Sequence, residues 1–184
     1  MRARLVTLCL AAAVSAAFAF SQNLQPYAGH EQREIKALSA EEIDHYRTGQ
    51  GMGFGLAAEL NHYPGPKHVL ELAKDLGLTD LQSAKTREIY DRMHAETVRL
   101  GERFLEKERA LDRLFAEGKV DQASLGKSIR ENAALQGEIR IAHLKAHLET
   151  RALMTPAQIA KYDVLRGYGE GTPHAHDPSH HHGN

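Results

Sequence analysis

Residues 78–118 read LTDLQSAKTREIYDRMHAETVRLGERFLEKERALDRLFAEG. Thr79 to Gln82 is a capping box, in which a threonine hydroxyl and a glutamine three residues later satisfy each other's backbone N–H groups at a helix start. Apolar and small residues then recur every three or four positions: Ile89/Tyr90, Met93, Thr97, Leu100, Phe104, Leu111 and Leu114/Phe115. That period is helical and places one seam along one face. Gly118 closes the helix. The stretch therefore predicts a single helix of more than thirty residues, to about Glu117.

The same grammar continues on both sides. Asp121 can cap a second long helix running to about Leu153, with a seam of Leu125, Ile129, Leu135, Ile139, Ala142/His143, Ala146, Thr150 and Leu153. Thr155-Pro156-Ala157-Gln158 is another capping box, with proline at the first helical position and a staple between Met154 and Ile159. A last helix carries Ile159, Tyr162 and Leu165. Before the quoted stretch, Pro66 opens a helix with the stripe Val69, Leu72, Ala73 and Leu76, and Gly77 ends it. The expected fold class is all-α: a long antiparallel helical hairpin with shorter flanking helices. At 1.5 Å per residue the hairpin is about 50 Å long. One hairpin buries little area alone, so a homodimer is expected.

The N-terminus reads differently. Arg2 and Arg4 precede an apolar run from Leu5 to Val14, and Ala17-Phe18-Ala19 is a cleavage site, with Ala19-Phe20-Ser21 as the alternative. Residues 1–21 are expected to be a cleaved signal peptide, and no stable membrane insertion is expected. Cys9, the only cysteine, lies inside that segment, so the mature chain has no thiol for disulfides or thiolate ligands. Loss of Arg2 and Arg4 leaves a net charge of about −3. No basic patch asks for nucleic acid. Tryptophan is absent and aromatics are 6%, which argues against an enzyme built around a deep pocket.

Residues 22–65 form an N-terminal extension. Ser39-Ala40-Glu41-Glu42 is a capping box with a Leu38–Ile43 staple, and predicts a helix from about Ala40 to Arg47. GQGMGFG, residues 49–55, lacks the preceding strand that a phosphate-binding loop needs, and reads as a flexible connector. Residues 66–168 form the helical domain. Residues 169–184 are expected to be a disordered, histidine-rich tail.

The paired starts Leu78-Thr79-Asp80-Leu81-Gln82 and Met154-Thr155-Pro156-Ala157-Gln158, on a secreted all-helical chain, resemble the Spy/CpxP superfamily of periplasmic proteins. Met154 departs from the leucine of the pattern. The resemblance covers about Val69 to Leu165. YPGPKHVLEL, residues 63–72, together with HLKAHL, residues 143–148, is similar to the branch of periplasmic heavy-metal sensors and metal-resistance proteins, ZraP-like and CnrX-like. The resemblance implies a cradle-like hairpin, often dimeric, in the periplasm. It also implies proteins that hold unfolded clients, act on a sensor kinase or anti-sigma partner, or sense and buffer metal, and that are not enzymes. The CnrX-like sensor's third-helix His and Met fall on Ala146 and Thr150, and its early-helix pair falls near Val69 and Ala73. That sensor site is therefore absent.

A shifted metal site is expected instead. Imidazole suits zinc, nickel, cobalt and copper. His143 and His147 stand four apart, on one helix face. With Ile139 at zero, His143 falls at about 40°, on the seam, and His147 at about 80°, at its edge. His68 is the third expected ligand, and Glu71, His94 or water could complete the set. The alternative is that His143 fills a helix interface and His147 is solvated. His174, His176, His180, His181 and His182, with Asp177, make a tail suited to loose divalent-metal binding. No Ser/His/Asp set, catalytic residue or organic cofactor is suggested. The expected function is a periplasmic protein that senses or buffers a divalent metal. The alternative is a metal-independent chaperone that holds unfolded proteins on a helical cradle.

Overall fold

The computed structural model describes residues 25–168. The expected signal peptide and the five tail histidines lie outside the described residues. Among the described residues the regular elements are helices only: a 3-10 turn at His30–Gln32, then α1 (Ala40–Arg47), α2 (Leu56–Glu59), α3 (Pro66–Glu71), α4 (Ala73–Leu76), α5 (Asp80–Ala116), α6 (Gln122–Leu153) and α7 (Pro156–Leu165). The chain is all-α. None of these helices is long and apolar enough to cross a membrane.

Local sequence sets the helix starts. Ser39/Glu42, Thr79/Gln82, Asp121/Ser124 and Thr155/Gln158 each form a reciprocal capping box. These bonds satisfy N–H groups that a helix cannot satisfy internally. Gly77 (φ 64) then turns the chain from α4 into the start of α5. The stripe expected to form one helix is divided at Leu72 (φ −99, ψ 11), yet Val69 and Leu76 still meet Tyr162 in one cluster.

Helices α5 and α6 form the antiparallel hairpin; α1, α2 and α3 pack on it, and α4 packs with α3 and α7. Two apolar clusters divide its length. In one, Ile35, Ile43 and Tyr46 from the N-terminal residues cover Leu100, Phe104, Leu105, Leu135 and Ile139. In the other, Val69 and Leu76 meet Met154 and Tyr162. Between them α6 carries His143 and His147, one and two turns beyond Ile139.

Helix α1 approaches α5 closely. A Cβ built on Gly101 would overlap the Tyr46 carbonyl oxygen, so glycine is what allows the backbones to meet. The Tyr46 ring packs on Phe104, centroids 4.4 Å apart. Its hydroxyl accepts from Gln136 Nε2 at 3.1 Å, which ties α1 to α6 as well.

Two expectations are corrected. GQGMGFG is a packed loop, with Met52 and Phe54 resting on the first cluster. Moreover, the hairpin seam is not buried to its tip. Phe115 is 56% exposed, Ile129 is 50% exposed and Leu125 is exposed as well. Among the described residues, the N-terminal segment is tied to α5 by the ion pairs Glu34–Arg109 and Lys36–Asp112. Beyond that, two helices alone leave their shared seam open on its flanks.

Candidate metal centre

The space between the two clusters is a cavity of about 180 Å³. Its walls include His68, His94, His143 and His147, together with the Met93 thioether. Helix α3 supplies His68, α5 supplies Met93 and His94, and α6 supplies the i,i+4 pair. The cavity therefore gathers the three expected helical histidines and His94. The tail histidines remain outside the described residues.

His143 is 5% exposed. Its Nε2 is buried and has no hydrogen-bond partner among the described residues. A buried, unpaired polar atom is costly, and in folded proteins it commonly marks a role beyond packing. Burial, with a smaller contribution from His147, lowers the ring's pKa from 6.5 to about 4. The imidazole is therefore neutral near pH 7, the state a metal needs. Phe54 stacks beside it, ring centroids 6.1 Å apart.

His147 is 8% exposed, deeper than the expected seam edge. The covering comes from the 55–65 segment, which its own helix could not report. Nδ1 lies 2.7 Å from the Tyr63 carbonyl oxygen. A carbonyl only accepts, so Nδ1 carries the proton, and in the neutral ring Nε2 holds the lone pair. This is the support that usually orients a metal-binding histidine. A Cβ built on Gly55 would stand 2.5 Å from Nε2, and one on Gly65 3.2 Å away. Glycine at both positions therefore keeps a side chain from crowding Nε2.

The other two histidines are held in the same manner. His68 Nδ1 lies 2.7 Å from Glu71 Oε2, which leaves Nε2 free of that contact. His94 Nε2 lies 3.1 Å from the Thr48 carbonyl oxygen, and its ring stacks on Tyr90. Nevertheless, no three His, Asp or Glu side chains among the described residues converge closely enough to hold one ion. The cavity has the donor chemistry for zinc, nickel, cobalt or copper, and a pair pointing inward, but not a closed ligand set.

The positions aligned with the CnrX-like site are packing positions. Val69, Ala146 and Thr150 are buried, and the Thr150 hydroxyl donates to the Ala146 carbonyl at 2.7 Å.

Sequence reasoning missed Glu59. This carboxylate on α2 is buried, and it organises the wall behind His147. Oε1 accepts from the Tyr162 hydroxyl at 2.5 Å and the Tyr168 hydroxyl at 3.2 Å. Oε2 accepts from the Gly65 N–H at 3.1 Å and lies 3.7 Å from His147 Nδ1. Arg166 Nε stands 3.4 Å from Oε1, close enough for an ion pair but without hydrogen-bond alignment. Burial, then the bond to Glu59, raises the Tyr162 pKa above its ordinary value, so the phenol remains a donor. Nothing in "AAELN" distinguishes Glu59 from a surface glutamate.

A second concavity lies elsewhere on the hairpin. It is a groove of about 590 Å³ with Ile89, Met93, Ile141 and Ala142 among its apolar walls, edged by Arg92, Glu96, Arg99 and Glu138. Among the described residues, no His pair or unsatisfied buried polar side-chain atom lines it.

An all-α hairpin closed at its base by two Thr-x-x-Gln helix starts, with histidines buried between its clusters, is a helical scaffold of a recognisable kind. The family model for LTXXQ motif family proteins matches residues 66–166, more than half the chain, and the chain belongs to that family, the Spy/CpxP-like periplasmic family. Nothing among curated proteins or solved structures matches the chain.

Proposed function

We propose that this protein is a periplasmic metal-binding, metal-responsive protein that senses or buffers zinc, nickel, cobalt or copper. The observation that carries the reading is the His143 Nε2 atom, buried without a partner beside His147 in a cavity with two further histidines. A bound ion would satisfy that atom. An ion that binds only one arrangement of α3, α5 and α6 shifts the population toward it, and that shift is the signal a sensor kinase or anti-sigma partner could read. The reading is non-enzymatic: the cavity offers ligands rather than a nucleophile with its base. The exposed seam at Phe115, Leu125 and Ile129 supports a homodimer.

Calorimetric titration of zinc, nickel, cobalt and copper tests it, using the intact protein, a chain ending at Tyr168, and that shorter chain with His143→Ala and His147→Ala. The shorter chain is expected to bind one ion, and the double substitution to remove it. Identical heats from the two shorter chains would overturn the reading.

The groove supports a second reading, a metal-independent chaperone. Its apolar floor and charged edges suit weak contacts with unfolded proteins. Slowed client aggregation that is insensitive to metal and to His143→Ala would favour it.

A further inference from the structure

We infer that the cavity takes copper(I), held by the His143 and His147 imidazoles and the Met93 thioether. The inference rests on the metal reading above and names its ion.

The donor set is small and soft. Among the described residues, no three His, Cys, Asp or Glu side chains can share an ion here. Zinc in proteins ordinarily takes at least three such ligands. Thioether sulfur instead selects copper(I), a soft ion that is content with few ligands. Among the described residues, Met93 is the sulfur donor on the cavity wall. It is half-buried on α5, where the cavity backs onto the larger groove, and it lines both. Its unbranched side chain can turn the sulfur to either side.

The remaining histidines are committed elsewhere. His94 Nε2 lies 3.1 Å from the Thr48 carbonyl oxygen. A carbonyl only accepts, so that nitrogen carries a proton and has no lone pair for a metal. His68 stands at the rim, its side chain 34% exposed and paired with Glu71. By contrast, His143 Nε2 is buried without a partner, and the Tyr63 carbonyl fixes His147 with Nε2 as its free nitrogen.

Charge points the same way. Among the described residues lining the cavity there is no Asp or Glu, and Lys67 adds a positive charge. The Glu59 carboxylate lies behind His147, 3.7 Å from Nδ1, and faces Arg166 with its other oxygen. The cost of burying an ion rises with the square of its charge, so a monovalent ion among neutral donors costs about a quarter of what a divalent one does.

The test loads the intact mature protein with copper(I) anaerobically, to saturation, and reads its neighbours by X-ray absorption. Competition with bathocuproine disulfonate gives the affinity. Residues 169–184 contain no Met or Cys, so a sulfur shell cannot arise there. Met93→Leu conserves volume and helix preference, and circular dichroism checks its fold. The parent is expected to show sulfur beside nitrogen. Met93→Leu should remove the sulfur shell and weaken one copper(I) equivalent at least about tenfold, the loss usual for a single supporting group at a metal site. His143→Ala with His147→Ala should weaken the same equivalent. Nitrogen-only scattering in the parent, or a sulfur shell that survives Met93→Leu, would overturn the inference. Zinc or cobalt binding lost with the histidine pair would in that case still uphold the metal reading. Affinity for copper(I), zinc and cobalt unchanged without the pair would overturn both. Met93→Leu decides the inference even if the histidine variant fails to fold.

Discussion

The side-chain amides of Gln82 and Gln158 face each other across the base of the hairpin, 76 residues apart in sequence. Gln82 Nε2 donates to Gln158 Oε1 at 2.9 Å, and Gln158 Nε2 donates to Gln82 Oε1 at 3.2 Å. Each Oε1 also accepts from the N–H of its own cap residue, Thr79 or Thr155. Gln82 Nε2 further reaches the Leu153 carbonyl at 2.8 Å, at the end of α6. Two helix caps are thereby joined into one fastening. The capping function needs only an acceptor, and glutamate provides one. The fastening needs an amide.

Gln82→Glu therefore separates the two roles. The box at Thr79 should survive, while the bonds that Gln82 Nε2 donates to Gln158 and Leu153 are lost and the new carboxylate oxygen faces two acceptors. A loss of about 2 kcal/mol is expected, measured by urea unfolding. A variant as stable as the parent would show that capping alone explains the glutamine.

Gly101 gives a test with an informative sign. Alanine inside a long helix ordinarily adds up to ~1 kcal/mol of stability. Here its Cβ would meet the Tyr46 carbonyl, which is backbone and cannot rotate away. Gly101→Ala is expected to destabilise by about 2 kcal/mol instead. A raised unfolding midpoint would show that α1 does not sit against α5 in solution.

Gly55→Ala probes the pair directly. Gly55 has φ −88, which alanine adopts without strain, so the effect should come from the new methyl beside His147 Nε2. Metal affinity at the pair, read by calorimetry on the chain ending at Tyr168, should fall at least about tenfold. Unaltered affinity would move the metal away from that face of the ring.

Acid should loosen the fold through His143. Its folded-state pKa is about 4, against 6.5 for a free imidazole. Between those values the unfolded chain binds more protons than the folded one. Stability is therefore full above about pH 6.5 and declines as pH falls toward 4, by up to ~3 kcal/mol from this group. His143→Leu should flatten the curve in that window. Parallel curves for the two proteins, from urea midpoints at pH 7 and 4.5, would contradict this.

Removal of the Glu59 carboxylate leaves the Tyr162 hydroxyl, the Gly65 N–H and Arg166 facing an uncompensated site. Glu59→Ala should cost about 4 kcal/mol. It should also free the Tyr168 hydroxyl, which a rise in amide exchange around residues 166–168 would register. Exchange equal to the parent's would show that the chain end is held by other contacts.

The helices were legible because their signals are local. A threonine three residues before a glutamine, or a seam recurring every three or four positions, acts within one or two turns. The helix boundaries near Arg47, Leu153 and Leu165 follow from that. Depth was less legible. The helical period gives His147 an angle on its own helix but cannot say that Gly55, Tyr63 and Gly65 come to lie over it. The same limitation exposed Ile129 and Phe115, whose seam positions lack a covering layer. Glu59 left no pattern, because its five neighbours come from three separate parts of the chain.

By itself, the sequence determined an all-α hairpin, its capped helix starts and the histidine pair on one face of α6, since each depends on residues a few positions apart. Only the tertiary structure decided that the two glutamines fasten each other, that His143 Nε2 is buried without a hydrogen-bond partner among the described residues, and that Glu59 lies between Tyr168 and His147. Those facts depend on which surfaces exclude water together, and burial is a property of neighbours brought from far along the chain.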